Sequence, residues 1–270
     1  MSNKVNSSGV IIADTAATGG ELTQRGAATY GTDKAIFAFG TSSSSQVNTI
    51  NLVNNVGVVA ANSTGTGSAR LSLAATSYGS SGQAIFAYGI QSGTSVNKSN
   101  KVSNTGGVSS DTSGVGTARH ELGASPFGGD KGIFAFGYSN TVGSNQNVSN
   151  IVSNTGVISS DQSGVGTARG GLAAAQFGDR CIFGYGAGGG PSNLVSNTGV
   201  VASDVSIVGT GRIGVAGAPY GGTKGLFAFG ANGTTYYAMS NLVSTSGVIA
   251  SDTSAVSGVT IRAQVNGAGY

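Results

Sequence analysis

Self-similarity constrains this 270-residue chain more than any other feature. One segment occurs five times: Ile36-Phe-Ala-Phe-Gly40, Ile85-Phe-Ala-Tyr-Gly89, Ile133-Phe-Ala-Phe-Gly137, Ile182-Phe-Gly-Tyr-Gly186 and Leu226-Phe-Ala-Phe-Gly230. The starts lie 49, 48, 49 and 44 residues apart. A period of this length marks a fold in which one supersecondary unit buries its apolar faces against copies of itself. A second block follows each copy: Asn51-Leu-Val-Asn-Asn-Val-Gly57, Asn100-Lys-Val-Ser-Asn-Thr-Gly106, Asn150-Ile-Val-Ser-Asn-Thr-Gly156, Asn193-Leu-Val-Ser-Asn-Thr-Gly199 and Asn241-Leu-Val-Ser-Thr-Ser-Gly247. It also precedes the first full unit, as Asn3-Lys-Val-Asn-Ser-Ser-Gly9. A third block runs from Arg to an aromatic eight residues on: Arg70 to Tyr78, Arg119 to Phe127, Arg169 to Phe177, Arg212 to Tyr220 and Arg262 to Tyr270. The same spacing back from Tyr30 lands on Leu22, so Arg25 is not the equivalent arginine.

Each unit reads as four short strands separated by turn residues. Strand one is the small-residue run after the Arg, such as Leu172-Ala-Ala-Ala175, and strand two is Ile-Phe-Ala-Phe-Gly. Strand three is Asn-Leu-Val-Ser, the Asn-Thr-Gly turn supplies a positive-φ residue, and strand four is typified by Val248 to Ser251. No segment of helical length shows a 3.6-residue period, so the expected class is all-β. Alternation along strand two places Phe37 and Phe39 on one face and Ile36, Ala38 and Gly40 on the other, with Phe183 and Tyr185 likewise opposed to Gly184. Both faces are apolar, so every sheet needs a neighbour on each side. A ring of sheets meets that demand, with small residues such as Ala74, Ala75 and Ala173 to Ala175 at its crowded centre. That is a β-propeller, a single domain over residues 1–270.

These residues resemble the kelch-repeat propellers: an Arg opening the inner strand, a Gly-Asp-Lys-type turn (Gly129-Asp-Lys131), the Ile-Phe-Ala-Phe-Gly strand, then a polar third strand and tight turn. The resemblance covers nearly the whole chain, and close variants of the repeat look like those of tailed-bacteriophage virion proteins. The strand count gives three and four at the N-terminus, five complete sets, and strand one at the C-terminus. The expectation is therefore six four-stranded kelch-like blades, the last built from both termini and lacking strand two. Five blades with surplus terminal strands is the alternative, and a stacked solenoid ranks third.

Composition narrows function. With 39% hydrophobic residues and a mean hydropathy of +0.10 the chain has material for a core, although only 9% of residues are charged and 48 are Gly. Thirteen basic residues, net charge +3, are scattered and form no run, which argues against nucleic acid as a partner. No run of about 18 apolar residues occurs and the first ten residues lack a signal-peptide pattern, so neither membrane insertion nor secretion is expected. His120 and Cys181 are the single His and the single Cys, excluding an intrachain disulfide and a Cys/His metal site; no metal or other cofactor is called for. His120 and Glu121 diverge as neighbours on a strand, no Gly-x-Ser-x-Gly elbow has the right context, and the repeated acids follow the fold, so no catalytic constellation emerges. Cys181 replaces a small residue on a buried strand and should be inert.

Candidate contact residues therefore sit in the variable links between strands two and three: Thr41 to Asn48, Ile90 to Asn97, Tyr138 to Val148, Ala187 to Pro191 and Ala231 to Met239. Tyr138, Tyr236 and Tyr237 are the sharpest of these, able to stack on a sugar or fill a protein hot spot, against a reading in which they only pack over a blade edge. Arg70, Arg119, Arg169, Arg212 and Arg262 are candidates for a cationic ring. The competing structural reading pairs them with acids, since Asp111, Asp161 and Asp204 each lie eight residues before an Arg and Asp252 ten before. The resulting expectation is a non-enzymatic structural or attachment component of a bacteriophage-like virion (tail, fibre or head decoration), assembled in the host cytoplasm and contacting other virion proteins. The alternative is a lectin-like propeller binding a host-surface glycan; an enzyme on the same scaffold ranks third.

Overall fold

The computed structural model describes residues 2–16, 20–43, 45–255 and 257–269, so Tyr270 lies outside the described residues. The chain is almost wholly β; the described residues contain no α-helix and one short 3-10 turn, Ala187–Gly189. Five antiparallel sheets share one plan: Gly26–Tyr30, Lys34–Ala38 and Thr49–Val53; Ala74–Tyr78, Gln83–Ala87 and Ser99–Val102; Gly123–Phe127, Lys131–Ala135 and Ser149–Val152; Ala173–Phe177, Arg180–Gly184 and Asn193–Val195; Ala216–Tyr220, Lys224–Ala228 and Ser240–Val243. These are strands one, two and three of each repeat, with strand two in the middle.

Strand four is less regular than the sequence suggests. Outside the first sheet, where Ser63–Thr64 forms a short fourth strand, it touches strand three at two bridges, as in Val102↔Val108 and Ser99↔Thr112, which leave one more residue on its side than on strand three. The same offset recurs at Val152↔Ile158 with Ser149↔Gln162 and at Val243↔Ile249 with Ser240↔Thr253. It is a one-residue bulge, and the buried strand-three Asn bonds across it, Asn100 Nδ2 donating to Ser109 O at 3.0 Å. The N-terminal segment repeats the pattern at Val5↔Ile11 and Ser2↔Thr15. The variable links are also more ordered than the sequence indicates, because four of them form two-stranded hairpins, including Tyr138–Ser139 with Ser144–Asn145 and Ala231–Asn232 with Thr235–Tyr236.

Successive sheets lie face to face, and strand two supplies the contact in a way simple alternation misses. Phe39, Tyr88, Phe136, Tyr185 and Phe229 all have φ between 62° and 67°, and each precedes a Gly at 104° to 109°. A bulky residue in the left-handed region costs on the order of 1–3 kcal/mol. The conformation turns the second aromatic away from the face its spacing assigns it. Phe183 therefore packs back against Phe136 of the preceding sheet, whereas Tyr185 packs forward on Phe227 of the next. The expected pairing of Phe37 with Phe39, and of Phe183 with Tyr185, on one face is thus corrected. Edge-to-face contacts at 5.3 to 5.6 Å link each consecutive pair of sheets.

Two further devices repeat between sheets. The turn glycine of one sheet rests on the strand-one aromatic of the sheet before it: Gly106 on Tyr30, Gly156 on Tyr78, Gly199 on Phe127, Gly247 on Phe177, and Gly9 of the N-terminal segment on Tyr220. Six backbone positions are joined in series, with Ser72 N donating to Gln24 O, Glu121 to Ser72, Gly171 to Glu121, Gly214 to Gly171 and Gln264 to Gly214, all at 2.9 to 3.0 Å. Strand one of each sheet lies beside that of the next, and residues 267–269 lie between the fifth and the first, against Gly217 and Pro219 on one side and Thr29 on the other. Together they surround cavities of about 40 and 70 Å³, the smaller lined largely by Ala, Gly, Ser and Thr and the larger also by Leu73, Leu122 and Leu172, room for a few waters at most.

A Cβ at Gly247 would press into Leu194 and lie 2.8 Å from the Phe177 ring, whereas one at Gly233 would meet nothing, although both glycines have positive φ. Gly247→Ala should cost about 2–4 kcal/mol, combining left-handed strain with overpacking, and Gly233→Ala about 1 kcal/mol. Urea denaturation distinguishes them; equal losses would show that the turn does not seat on the neighbouring sheet.

Candidate functional site

The most elaborate polar arrangement is a buried cluster repeated with the sheets. In the third sheet, Arg119 and Asn150 are both 0% exposed. Arg119 Nε donates to Phe136 O at 2.8 Å, Nη1 to Thr117 O at 3.1 Å and Nη2 to Asn150 Oδ1 at 2.6 Å. Asn150 Nδ2 donates in turn to Asp161 Oδ1 at 2.9 Å, and Asp161 Oδ2 accepts from Thr117 N and Oγ1 at 2.9 and 2.6 Å. The guanidinium carbon stands 4.3 Å from the ring centre of Tyr88, in the preceding sheet. Arg70, Arg169 and Arg212 make the same contacts with Asn100 and Asp111, Asn193 and Asp204, and Asn241 and Asp252. Every guanidinium edge has an acceptor and its face has a ring, which is what a desolvated cation requires.

Each Asp therefore serves the Arg of its own sheet and not the one eight or ten residues later, correcting the pairing drawn from proximity. Arg119 lies 3.8 Å from Asp161, Arg70 from Asp111 and Arg212 from Asp252. Burial pushes these carboxyls up, but donated hydrogen bonds outweigh it and hold Asp111, Asp161, Asp204 and Asp252 below the usual carboxylate range. Burial lowers Arg70 to about 10, Asp111 opposing, which leaves it cationic at neutral pH.

The first sheet departs from the pattern in a compensated way. Leu22 stands at the Arg position and Arg25 stands where other repeats have Leu73, Leu122 or Leu172. Arg25 still donates from Nε to Phe39 O at 3.2 Å, the carbonyl equivalent to Phe136 O, but it bonds Phe37 O and Thr49 O in place of the Asn. Asn51 instead donates to Asn62, which occupies the Asp position. The acid is replaced by an amide in the one sheet whose Arg has moved.

The terminal segments build the cluster a further time. Asn3 Nδ2 donates to Ile12 O and to Asp14 Oδ1, both at 2.9 Å, and Asp14 accepts from Thr260 and Arg262, some 246 and 248 positions away. Arg262 also faces the Phe229 ring at 5.0 Å. Burial pushes the Asp14 carboxyl up, but hydrogen bonds from Thr260 and Asn3 and the Arg262 charge bring it down to about 2.

The candidate tyrosines do not converge. Tyr138 is half-buried, edge-on to His120 at 5.5 Å in the third sheet's hairpin; Tyr236 is 51% exposed in the fifth; Tyr237 bridges to Arg262. Sequence reasoning missed the partner of His120: Ser95 Oγ lies 3.0 Å from Nδ1, and Ser95 exchanges bonds with Asn140. Both residues of this pair are buried, and it ties the second sheet's hairpin to the third sheet. Burial lowers the His120 pKa, and pushes the fully buried Cys181 thiol up to about 12. Among the described residues no group of three His, Cys, Asp or Glu could hold a metal, and no helix is long and apolar enough to cross a membrane. In comparisons with known proteins, neither a family model nor a curated protein sequence matches the chain.

Two outcomes follow from the cluster. Asn150→Ala should cost about 2–4 kcal/mol, because it strands a buried guanidinium edge, and Asn51→Ala, with no Arg donating to it, about 1–2 kcal/mol; equal values would refute the role of the Asn–Arg bond. Asp14, ordinarily near 3.8, is lowered when folded, so its contribution is complete above that value and is lost as pH falls from about 4 to 2. Urea midpoints of Asp14→Asn should therefore decline less over that window than those of the parent; parallel declines would contradict it.

Proposed function

We propose that the chain is a closed six-bladed propeller of kelch-like blades acting as a non-enzymatic structural or attachment component of a bacteriophage-like virion. The ring reading is supported by the six segments around the central cavities, the series of backbone bonds from Gln24 to Gln264, and the terminal copy of the Arg cluster. Resemblance of the repeat to those of phage virion proteins supports the setting.

Contact through protein surfaces rests on one observation. The repeated polar residues are consumed in joining sheets, while an apolar residue recurs in the open just after the strand-three turn glycine: Val10, Val58, Val157, Val200 and Val248 are 44 to 66% exposed. A periodic apolar fringe on one end of a ring suits a partner that packs against it. Mass spectrometry of purified particles should find the protein in stoichiometric amount. A Val157→Ser/Val200→Ser/Val248→Ser variant of unchanged thermal midpoint should be incorporated at reduced occupancy. Absence of the parent protein from particles would remove the virion reading.

A further inference from the structure

Charge is divided unequally between the two ends of the sheets. At one end strand one turns into two and strand three into four, and the turns of neighbouring segments abut: a Cβ at Gly31, Gly79, Gly128 or Gly221 would meet the carbonyl of Asn104, Asn154, Asn197 or Ser7 in the next turn. Each of the five sheets and the N-terminal segment sets one basic side chain there. Lys34, Lys131, Arg180 and Lys224 close one–two hairpins, while Lys101 and Lys4 reach Thr155 O and Val56 O in the neighbouring three–four turns at 2.9 and 2.8 Å. Three acids accompany them, Asp33, Asp130 and Asp179, paired with Lys34, Lys131 and Arg180. With 13 basic and 10 acidic residues in the chain, this end carries the whole net charge of +3, and the other end, with seven of each sign, is neutral.

The packing does not require the remaining three cations. Lys4 and Lys101 stand at the strand-three position of Leu52, Ile151, Leu194 and Leu242, which lean on the turn glycine of the next segment. The Lys4 stem leans on Gly57 in the same way, and its ammonium continues to the end of the sheet. Lys224 follows Thr223, where Lys34, Lys131 and Arg180 each follow an Asp. Lys4, Lys101 and Lys224 are exposed, and among the described residues none of them is in an ion pair.

We propose that this end is a cationic docking face for the acidic surface of another protein, a partner class that rests on the reading that the chain works by protein contact. The exposed Val58 and Val157 lie two residues beyond the carbonyls that Lys4 and Lys101 meet, so apolar and cationic groups alternate. A phosphate polymer would lay its charges against those valines, whereas a protein surface offers carboxylates and apolar groups together. An anionic membrane fits less well, because the strand-one aromatics at this end, Tyr30, Tyr78, Phe127, Phe177 and Tyr220, are all buried and supply no interfacial anchor. A second copy would present a neutral end if stacked head to tail and like charge if stacked turn end to turn end. Complementary charge steers the partner to this end, and the valines exclude water from the contact.

The test is titration of the full chain with a fluorescein-labelled peptide of repeated Glu-Val-Glu-Gly units, followed by anisotropy. Saturable binding is expected, weakening about tenfold or more as salt rises from about 0.05 to about 0.5 M. Lys4→Met/Lys101→Met/Lys224→Met keeps the aliphatic stems and the melting midpoint and should lose about tenfold in affinity. Lys4→Arg/Lys101→Arg/Lys224→Arg should bind as the parent does, and so should Glu21→Gln/Glu121→Gln at the other end. No saturable binding, or equal binding by the Met variant, overturns the face. Tighter binding of a duplex DNA oligonucleotide or of phosphatidylglycerol vesicles than of the peptide overturns the protein partner, as does self-association that the Met variant relieves. Occupancy in purified particles separates the two readings. A parent that is present, with the Met variant at equal occupancy, refutes the charged face alone; a parent that is absent refutes the virion reading, and the titration then decides the face.

Discussion

A cation buried between sheets is the constraint around which the rest of this structure is arranged. Removing a guanidinium from water costs several kcal/mol unless its donors and its face are satisfied, and here they are satisfied by residues of two different sheets. Arg119 takes its hydrogen bonds from the third sheet and its ring contact from Tyr88 in the second. It also fixes the backbone between them, because Gly89 N donates to Arg119 O at 2.9 Å. One side chain therefore sets the distance and orientation of a sheet relative to its predecessor. Much of the chain's small complement of charge is thus held internally, in the repeated Arg and Asp residues.

The left-handed aromatic is what makes that geometry available. Its φ aims the ring forward into the next sheet and leaves its carbonyl facing the Arg of its own sheet, so one strained residue serves two interfaces. Glycine after it carries the chain back out, and a Cβ at Gly89 would lie 2.7 Å from Leu71 O. Strain that costs a little at each repeat is offset by aromatic burial and by the Arg contact.

The fold was largely legible in the sequence because a repeat displays its own alignment: strand order, turn glycines and all-β class follow from residue types and spacing. What alternation could not show was the reversal at Phe39 and its counterparts, since a period-two pattern presumes regular φ and ψ on every residue. Proximity in sequence also misassigned the acids. The signal for the right assignment was present in the interruptions, because Leu22 and Asn62 depart together, roughly one sheet apart, as members of one cluster would. Arg262 finds its acid at Asp14, 248 positions away, where no local spacing could point to it. The Ser95–His120 contact left no such trace, having a single copy and no repeat to align it with.

The first and last segments are joined through this cluster, and a double-mutant cycle on Asp14→Asn and Arg262→Gln measures that link. Urea denaturation of the parent, both single variants and the double variant isolates the interaction from each residue's separate effects. A coupling of about 1–3 kcal/mol that shrinks between pH 4 and 2 is the expected result. Additive losses, with no coupling at neutral pH, would show that the two ends of the chain are not held together by these residues.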